Sequence, residues 1–305
     1  MEAPLAAATE EAEAALAAAE ERILTLEADL DPENETGSVH ALNAGAGTMV
    51  PVSRDCYELL AATMDVWAAT GGALDPGVYP LSKAWGFIGG DYRVPSREEI
   101  DALLAAKDTA GIQADGESCT AAIPAGMEIS FGASAKGYAA QAVCGLLAEL
   151  GVERAVISLG GNVQTLGEHK PDGSPWKVAV TDPRDPGSYL GVLETGQAAV
   201  VTSGGYQRNF TQDGVTYIHI LDPSTGYPVD NGLTSVTVVA EDGTLADALS
   251  TALFVLGEEG ALAYYEAAGN FELVLVTEDD RVIVTPGLRD SFREKTETYT
   301  YEYLG

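Results

Sequence analysis

Basic residues are scarce in this 305-residue chain, where 16 Lys and Arg stand against 47 Asp and Glu for a formal charge of -31. A surface field of that sign repels nucleic acid and anionic membranes. An anionic ligand therefore needs a cation, or a few well-placed Lys or Arg side chains, and each base near a Gly-rich turn matters. The remaining acidity reads as a solvated surface. Cysteine is scarcer still: Cys56, Cys119 and Cys144 are widely spaced and form no CxxC pair, so no disulfide framework or zinc site is expected. No run of about 18 apolar residues occurs, so no membrane-spanning helix is expected. The opening stretch MEAPLAAATEEAEAALAAAEERILTLEADL is acidic where a signal peptide is basic. It reads as a surface helix anchored by Leu16, Ile23, Leu24 and Leu26. The GxSxG, HExxH, Walker A and GxGxxG patterns are all missing, which leaves the catalytic schemes they carry without support.

What is present is a hydrophobic content of 46% with 34 Gly and 14 Pro, the texture of a globular protein with many tight turns. Apolar spacing predicts a helix over residues 54–69, and SREEIDALLAAK a second with Ser96 as its N-cap. Between them ALDPGVYPLSKAWGFIGG is broken by Pro and Gly and reads as a structured loop. A short strand at MEISF precedes the helix KGYAAQAVCGLLAEL. Then come the β-branched segments RAVISL, WKVAV, QAAVVTS, VTYIHIL and LTSVTVVA, the buried helix LADALSTALFVLG, a hairpin of ELVLVT with RVIVT, and a tail that suits an edge strand. Helices in front and adjacent strands behind predict an α+β fold, with helices packed on a mainly antiparallel sheet.

Four places carry candidate chemistry. In LADALSTALFVLG, Asp247 and Thr251 are four apart and share a helix face, a carboxylate and a hydroxyl that suit a hard cation such as Mg²⁺. The competing reading makes Thr244 the N-cap and Asp247 the acid of a capping box. In SFGASAKGYAA, Lys136 falls in the first turn of a helix, a poor place for a cation unless an anion is shared there, or unless the side chain snorkels to solvent. SLGGNVQTLG and VVTSGGYQRNF each place a Gly pair after a strand, with Arg208 near the second; either turn alone is a weak signal. His219, on the strand YIHIL, reads as a general base, a ligand contact or a hydrogen-bonded core histidine.

Taken in order, ALDPGVYPLSKAWGF, SFGASAKGYAA, SLGGNVQTLG, VVTSGGYQRNF, HILDPSTGYPV and ADALSTALFVLG resemble the successive motifs of the ApbE family, the FAD:protein FMN transferases, over about residues 35 to 260. The resemblance implies one ApbE-like (T-fold-like) domain over 1–305. It also implies Mg²⁺-dependent transfer of FMN from FAD to a Thr or Ser hydroxyl of an acceptor protein, with release of AMP. Hydrolysis of FAD by the same residues and a flavin-binding protein without catalysis are the alternatives. By resemblance the metal is held by the carbonyl of Ala133 with Asp247 and Thr251. FAD contacts fall on Ala73, Leu74, Asp75, Ser130, Lys136, His219 and Ile220. Asp247, Lys136 and His219 carry the catalysis, His219 assisting deprotonation of the acceptor. Ser130 replaces the aspartate that usually opens the D-F-G-x-x-A-K-G motif, and the resemblance leads one to expect a first strand and a signal segment ahead of the first helix, neither of which is read in this sequence. The family setting implies an extracytoplasmic location, with a redox subunit or FMN-binding domain as acceptor.

Overall fold

The computed structural model describes residues 3–305, the side chains of 3–9 excepted. Seven strands form the central sheet: β4 (Ala155–Leu159), β5 (Asn162–Leu166), β8 (Ala199–Gly204), β11 (Leu233–Ala240), β12 (Glu272–Thr277), β13 (Arg281–Val284) and β15 (Thr300–Tyr303). Their order is β15-β13-β12-β11-β8-β5-β4, and every pairing is antiparallel except β13 with β15. Three small sheets complete the strands: β1 (Val50–Pro51) with β2 (Gln113–Asp115) and β3 (Thr120–Ala122); β6 (Trp176–Thr181) with β7 (Tyr189–Thr195) and β14 (Phe292–Glu294); and the hairpin of β9 (Asn209–Gln212) with β10 (Val215–Ile218). The helices are α1 (Ala3–Leu30), α2 (Ser38–Ala44), α3 (Arg54–Ala69), α4 (Tyr79–Ala84), α5 (Arg97–Ala106), α6 (Ala135–Glu149) and α7 (Gly243–Ala268), the last broken at Gly257, where φ is +74°. This is the expected α+β class with a mainly antiparallel sheet.

The central strands read as almost continuous apolar runs because both faces of the sheet are covered. Val236, Val238, Leu273 and Leu275 pack with Ala246, Leu249, Leu253 and Phe254 of α7. Their alternates Val239, Val274 and Val276 face the other way, against Val178, Val180, Leu190 and Leu193 of the β6-β7 sheet. The period of two thus divides each strand between two cores. At roughly 1.5–3 kcal/mol per fully buried aliphatic side chain, these two layers are the main stabilising term.

Several expectations shift. In α1, Leu16 and Leu24 are 68% and 55% exposed while Ala15, Ala19 and Leu26 are buried. The helix crosses α6 closely, and small residues suit that contact better than leucine. ALDPGVYPLSKAWGFIGG is more regular than a loop: Pro76–Val78 forms a 3-10 turn leading into α4, whose proline sits in the first turn, where it costs no hydrogen bond. MEISF carries no regular structure and pairs with no strand. Its backbone is satisfied in part by the Asn43 side chain, which bonds Ile129 N and O, and by Pro76 O, which accepts from Ser130 N. The three cysteines are free.

An aromatic cluster fixes the loop beyond α4. Fully buried Trp85 donates from Nε1 to Gly226 O at 2.9 Å and packs against Phe87, Phe210, Tyr217 and Tyr227. It ties residues 85–88 to the β9-β10 hairpin. Trp85→Ala should destabilise by about 3–5 kcal/mol in urea titrations, since it opens a cavity and strands the Gly226 carbonyl.

Candidate active site

Asp247 lies 3% exposed in the second turn of α7, and its partner is another helix. Oδ2 accepts from Gly137 N at 2.8 Å, and Gly137 is the third residue of α6. The first N–H groups of a helix lack internal partners and carry partial positive charge, so an acid from a neighbouring helix caps them well. Ser134, which occupies the N-cap position of α6, makes no such bond and pairs with Thr63 Oγ1 at 3.0 Å. The capping box proposed for α7 is absent: Asp242 caps that helix, accepting from Leu245 N, and Thr244 is buried without that role. The α7 cap lies two residues earlier in the same segment than the Thr244 reading, whereas the α6 cap comes from another helix altogether.

With Oδ2 engaged, Oδ1 lies 3.9 Å from Lys136 Nζ. Burial pushes the Asp247 carboxyl up from the ordinary range, and the Lys136 charge, the Gly137 and Lys136 N–H groups and the nearby Asn162 amide only partly oppose that. The acid is thus short of positive charge. Thr251, one turn on, contacts Ser203 Oγ at 3.1 Å, and Ser203 also meets Ser250 Oγ at 2.8 Å. Strand β8 therefore holds the hydroxyl face of α7 in place. Ser203 belongs to the TSGG turn flagged as a weak signal, and only the β8-α7 packing shows which hydroxyl it reaches.

These groups open into one cavity of about 180 Å³, and all ten residues singled out from the sequence line it: Ala73, Leu74, Asp75, Ser130, Ala133, Lys136, His219, Ile220, Asp247 and Thr251. Arg208, Ser203 and Asn162 join them. An apolar slot of about 480 Å³ lies alongside, sharing Ile88, Ser130, Phe131, Gly132 and Lys136 and walled by Leu26, Leu30, Tyr79 and Leu159. Asp75 lines the chamber with its carboxylate already committed: Oδ1 accepts from Gly77 N at 2.8 Å and Thr109 Oγ1 at 2.7 Å, while Oδ2 pairs with Lys107 Nζ. It holds the turn that presents Ala73 and Leu74.

His219 sits just beyond β10, which ends at Ile218, rather than on the strand. Its Nδ1 lies 3.1 Å from the Arg208 carbonyl, an acceptor only, so the proton is on Nδ1 and the Nε2 lone pair is free to accept. Burial, then the charges of Arg208 and Lys136, lowers its pKa to about 4 against the opposing Arg208 hydrogen bond. The base form therefore prevails at neutral pH. An NMR titration of the free protein should show the imidazole protonating near pH 4; a midpoint at the ordinary 6.5 would contradict this environment.

Among the described residues no three His, Cys, Asp or Glu side chains cluster as a metal site. The donors gathered here are instead a carboxylate, a hydroxyl and a main-chain segment with Ala133 in the same wall. Hard oxygens with room for water and phosphate fit Mg²⁺ and suit neither zinc nor copper. The buried, under-compensated Asp247 fits a cation as well.

The sequence profile of the ApbE family matches residues 1–275. A Klebsiella pneumoniae protein named FAD:protein FMN transferase is 37% identical over 256 residues, covering 82% of this chain and 78% of that one. Among solved structures, the ApbE protein of Thermotoga maritima superposes with a TM-score of 0.80 at 34% identity, covering 89% and 87% of the two chains. The apo flavinyl transferase ApbE of Pseudomonas stutzeri gives 0.78 at 34% identity, covering 87% and 83%. Profile, relatives and superposition converge on the sheet and helices that build this cavity, and the chain belongs to the ApbE family.

Proposed function

We propose that the protein transfers the FMN moiety of FAD to a Thr or Ser hydroxyl of an acceptor protein, releasing AMP, with Mg²⁺ as cofactor. The observation that carries this reading is the convergence of Asp247, Thr251, Ala133, Lys136 and His219 on one chamber beside an apolar slot. An anionic centre flanked by flat rings matches that division. Relatives bearing the name FAD:protein FMN transferase support the same chemistry.

In this reading the acceptor oxygen attacks the flavin-side phosphorus, a new P–O bond forms, and the bond to the bridging oxygen breaks with its electron pair leaving on AMP. Bound Mg²⁺ would supply charge neutralisation of the pyrophosphate, held by Asp247, Thr251 and the Ala133 carbonyl. Lys136, reaching over Asp247, offsets anionic charge in the same chamber. His219 takes the hydroxyl proton on Nε2, the nitrogen its Arg208 contact leaves free. Residues Phe87 and Ile88, held by the Trp85 cluster and by Arg208, which donates to Phe87 O at 3.2 Å, close one side against water. The extracytoplasmic setting is part of the proposal and rests on the family resemblance.

The test is incubation with FAD, MgCl₂ and an acceptor domain carrying a flavinylation motif, followed by in-gel flavin fluorescence and quantification of AMP. Labelled acceptor with one AMP per label is expected. AMP without label would mean a pyrophosphatase, and bound, intact FAD a carrier.

A further inference from the structure

The turn Gly160–Gly161, with φ of +59° and +95°, delivers Asn162 to the first position of β5. There the backbone is held on both sides, paired with Leu159 of β4 and Val201 of β8. The side chain is therefore placed by the sheet, 1% exposed and lining the same chamber as Asp247, Thr251 and Lys136. Neither Nδ2 nor Oδ1 has a hydrogen-bond partner within 3.5 Å; the nearest charged neighbour is the Asp247 carboxylate, which the amide weakly favours in its charged form without closing a proper bond to it. A buried amide with nothing to bond opposes folding, and native proteins keep such groups mainly where a ligand or function completes them. Two residues on, Gln164 gives Nε2 to Gln141 at 2.5 Å. Its Oε1 is also unpartnered, but Gln164 does not line the chamber.

We propose that Asn162 is a further substrate-binding residue, its side-chain NH₂ donating to a pyrophosphate oxygen of FAD; this rests on the flavin-transfer reading above. Asn162 stands beside Asp247, whose negative charge would repel a phosphate, while Lys136 approaches that carboxylate from the open side of the chamber. A neutral donor at this point binds the anion without competing with a cation for Asp247, as a second lysine would. The backbone of Asn162 is held between β4 and β8, so the residue is already in position when the ligand arrives.

The role makes two separate predictions for one substitution. Asn162→Ala should weaken FAD and ADP about tenfold, the usual worth of a hydrogen bond to a charged group, and leave adenosine binding unchanged. The melting temperature of the free protein should stay level, because the amide closes no hydrogen bond within 3.5 Å whose loss would be felt. Asn162→Asp keeps the shape but sets a like charge beside Asp247 and against the phosphate, and should weaken FAD and ADP at least as much. Affinities are read by calorimetry in MgCl₂ and melting by scanning fluorimetry. FAD affinity within twofold of the parent in both variants would overturn the proposal. So would equal losses for ADP and adenosine, or a lowered melting temperature with unchanged FAD affinity. If the parent protein itself bound no FAD, the flavin reading would fail first, which is a separate result.

Discussion

Asp247→Asn should fold as well as the parent and lose flavin transfer by on the order of 10²–10³-fold, the cost of removing one preorganised charge from a phosphoryl-transfer site. The two halves of that expectation come from the two oxygens. Oδ2 accepts the Gly137 N–H that begins α6, and an asparagine carbonyl can accept it equally, so the helix-to-helix cap survives. Oδ1, facing Lys136 at 3.9 Å, is where the charge acts, and the amide has none. Asp247→Ala removes both functions: it should lose transfer to the same extent and also melt lower, because the Gly137 N–H is left buried without a partner at a cost of about 1–3 kcal/mol. Thr251→Ala deletes a neutral hydroxyl and should be milder, and raising MgCl₂ should restore it better than either Asp247 variant. Transfer by Asp247→Asn within about tenfold of the parent would remove this carboxylate from the chemistry.

How far the sequence alone leads depends on whether a property is local or shared between distant segments. Helix α3 is read over its full extent, 54–69, because its apolar period acts within one segment; the structure adds the Ser53 cap, which accepts from Cys56 N. Strand β11 is legible for the same reason, its β-branched run being set by burial on both faces. The ten site residues, drawn from separate motifs, all line one cavity, beside strands β5 and β8 and the N-terminal turns of α6 and α7. The cap of α6 is illegible: Asp247 and Gly137 are 110 residues apart, and nothing in either neighbourhood names the other. Asn162 is hidden differently. GGN looks like an ordinary turn, and only the absence of partners in three dimensions distinguishes it. The partners of Asp75 are equally illegible, since Lys107 and Thr109 follow α5, two helices further along the chain.

Gly137→Ala tests the same junction from its other side and should damage stability and transfer together. In an ordinary helix, replacing Gly by Ala gains roughly 1 kcal/mol. Here a methyl group on Gly137 would stand 2.1 Å from the Gly243 carbonyl oxygen and 2.5 Å from Asp247 Cβ. Neither obstacle can swing away: one is backbone at the start of α7, and the other is the root of the residue that caps α6. Overpacking typically costs about 1–3 kcal/mol and more where backbone must move, so the clash outweighs the propensity gain. The helices must separate, which lengthens the 2.8 Å bond from Gly137 N to Asp247 and shifts Asp247 and Thr251 relative to β8. Destabilisation and loss of transfer should therefore appear together, the latter on the order of 10²-fold for a displacement near 1 Å. Gly145→Ala is the internal control, on the same helix with nothing within 4 Å of its added methyl. It should raise the melting temperature and leave transfer intact; similar behaviour of the two variants would mean that α6 and α7 do not cross as closely as described.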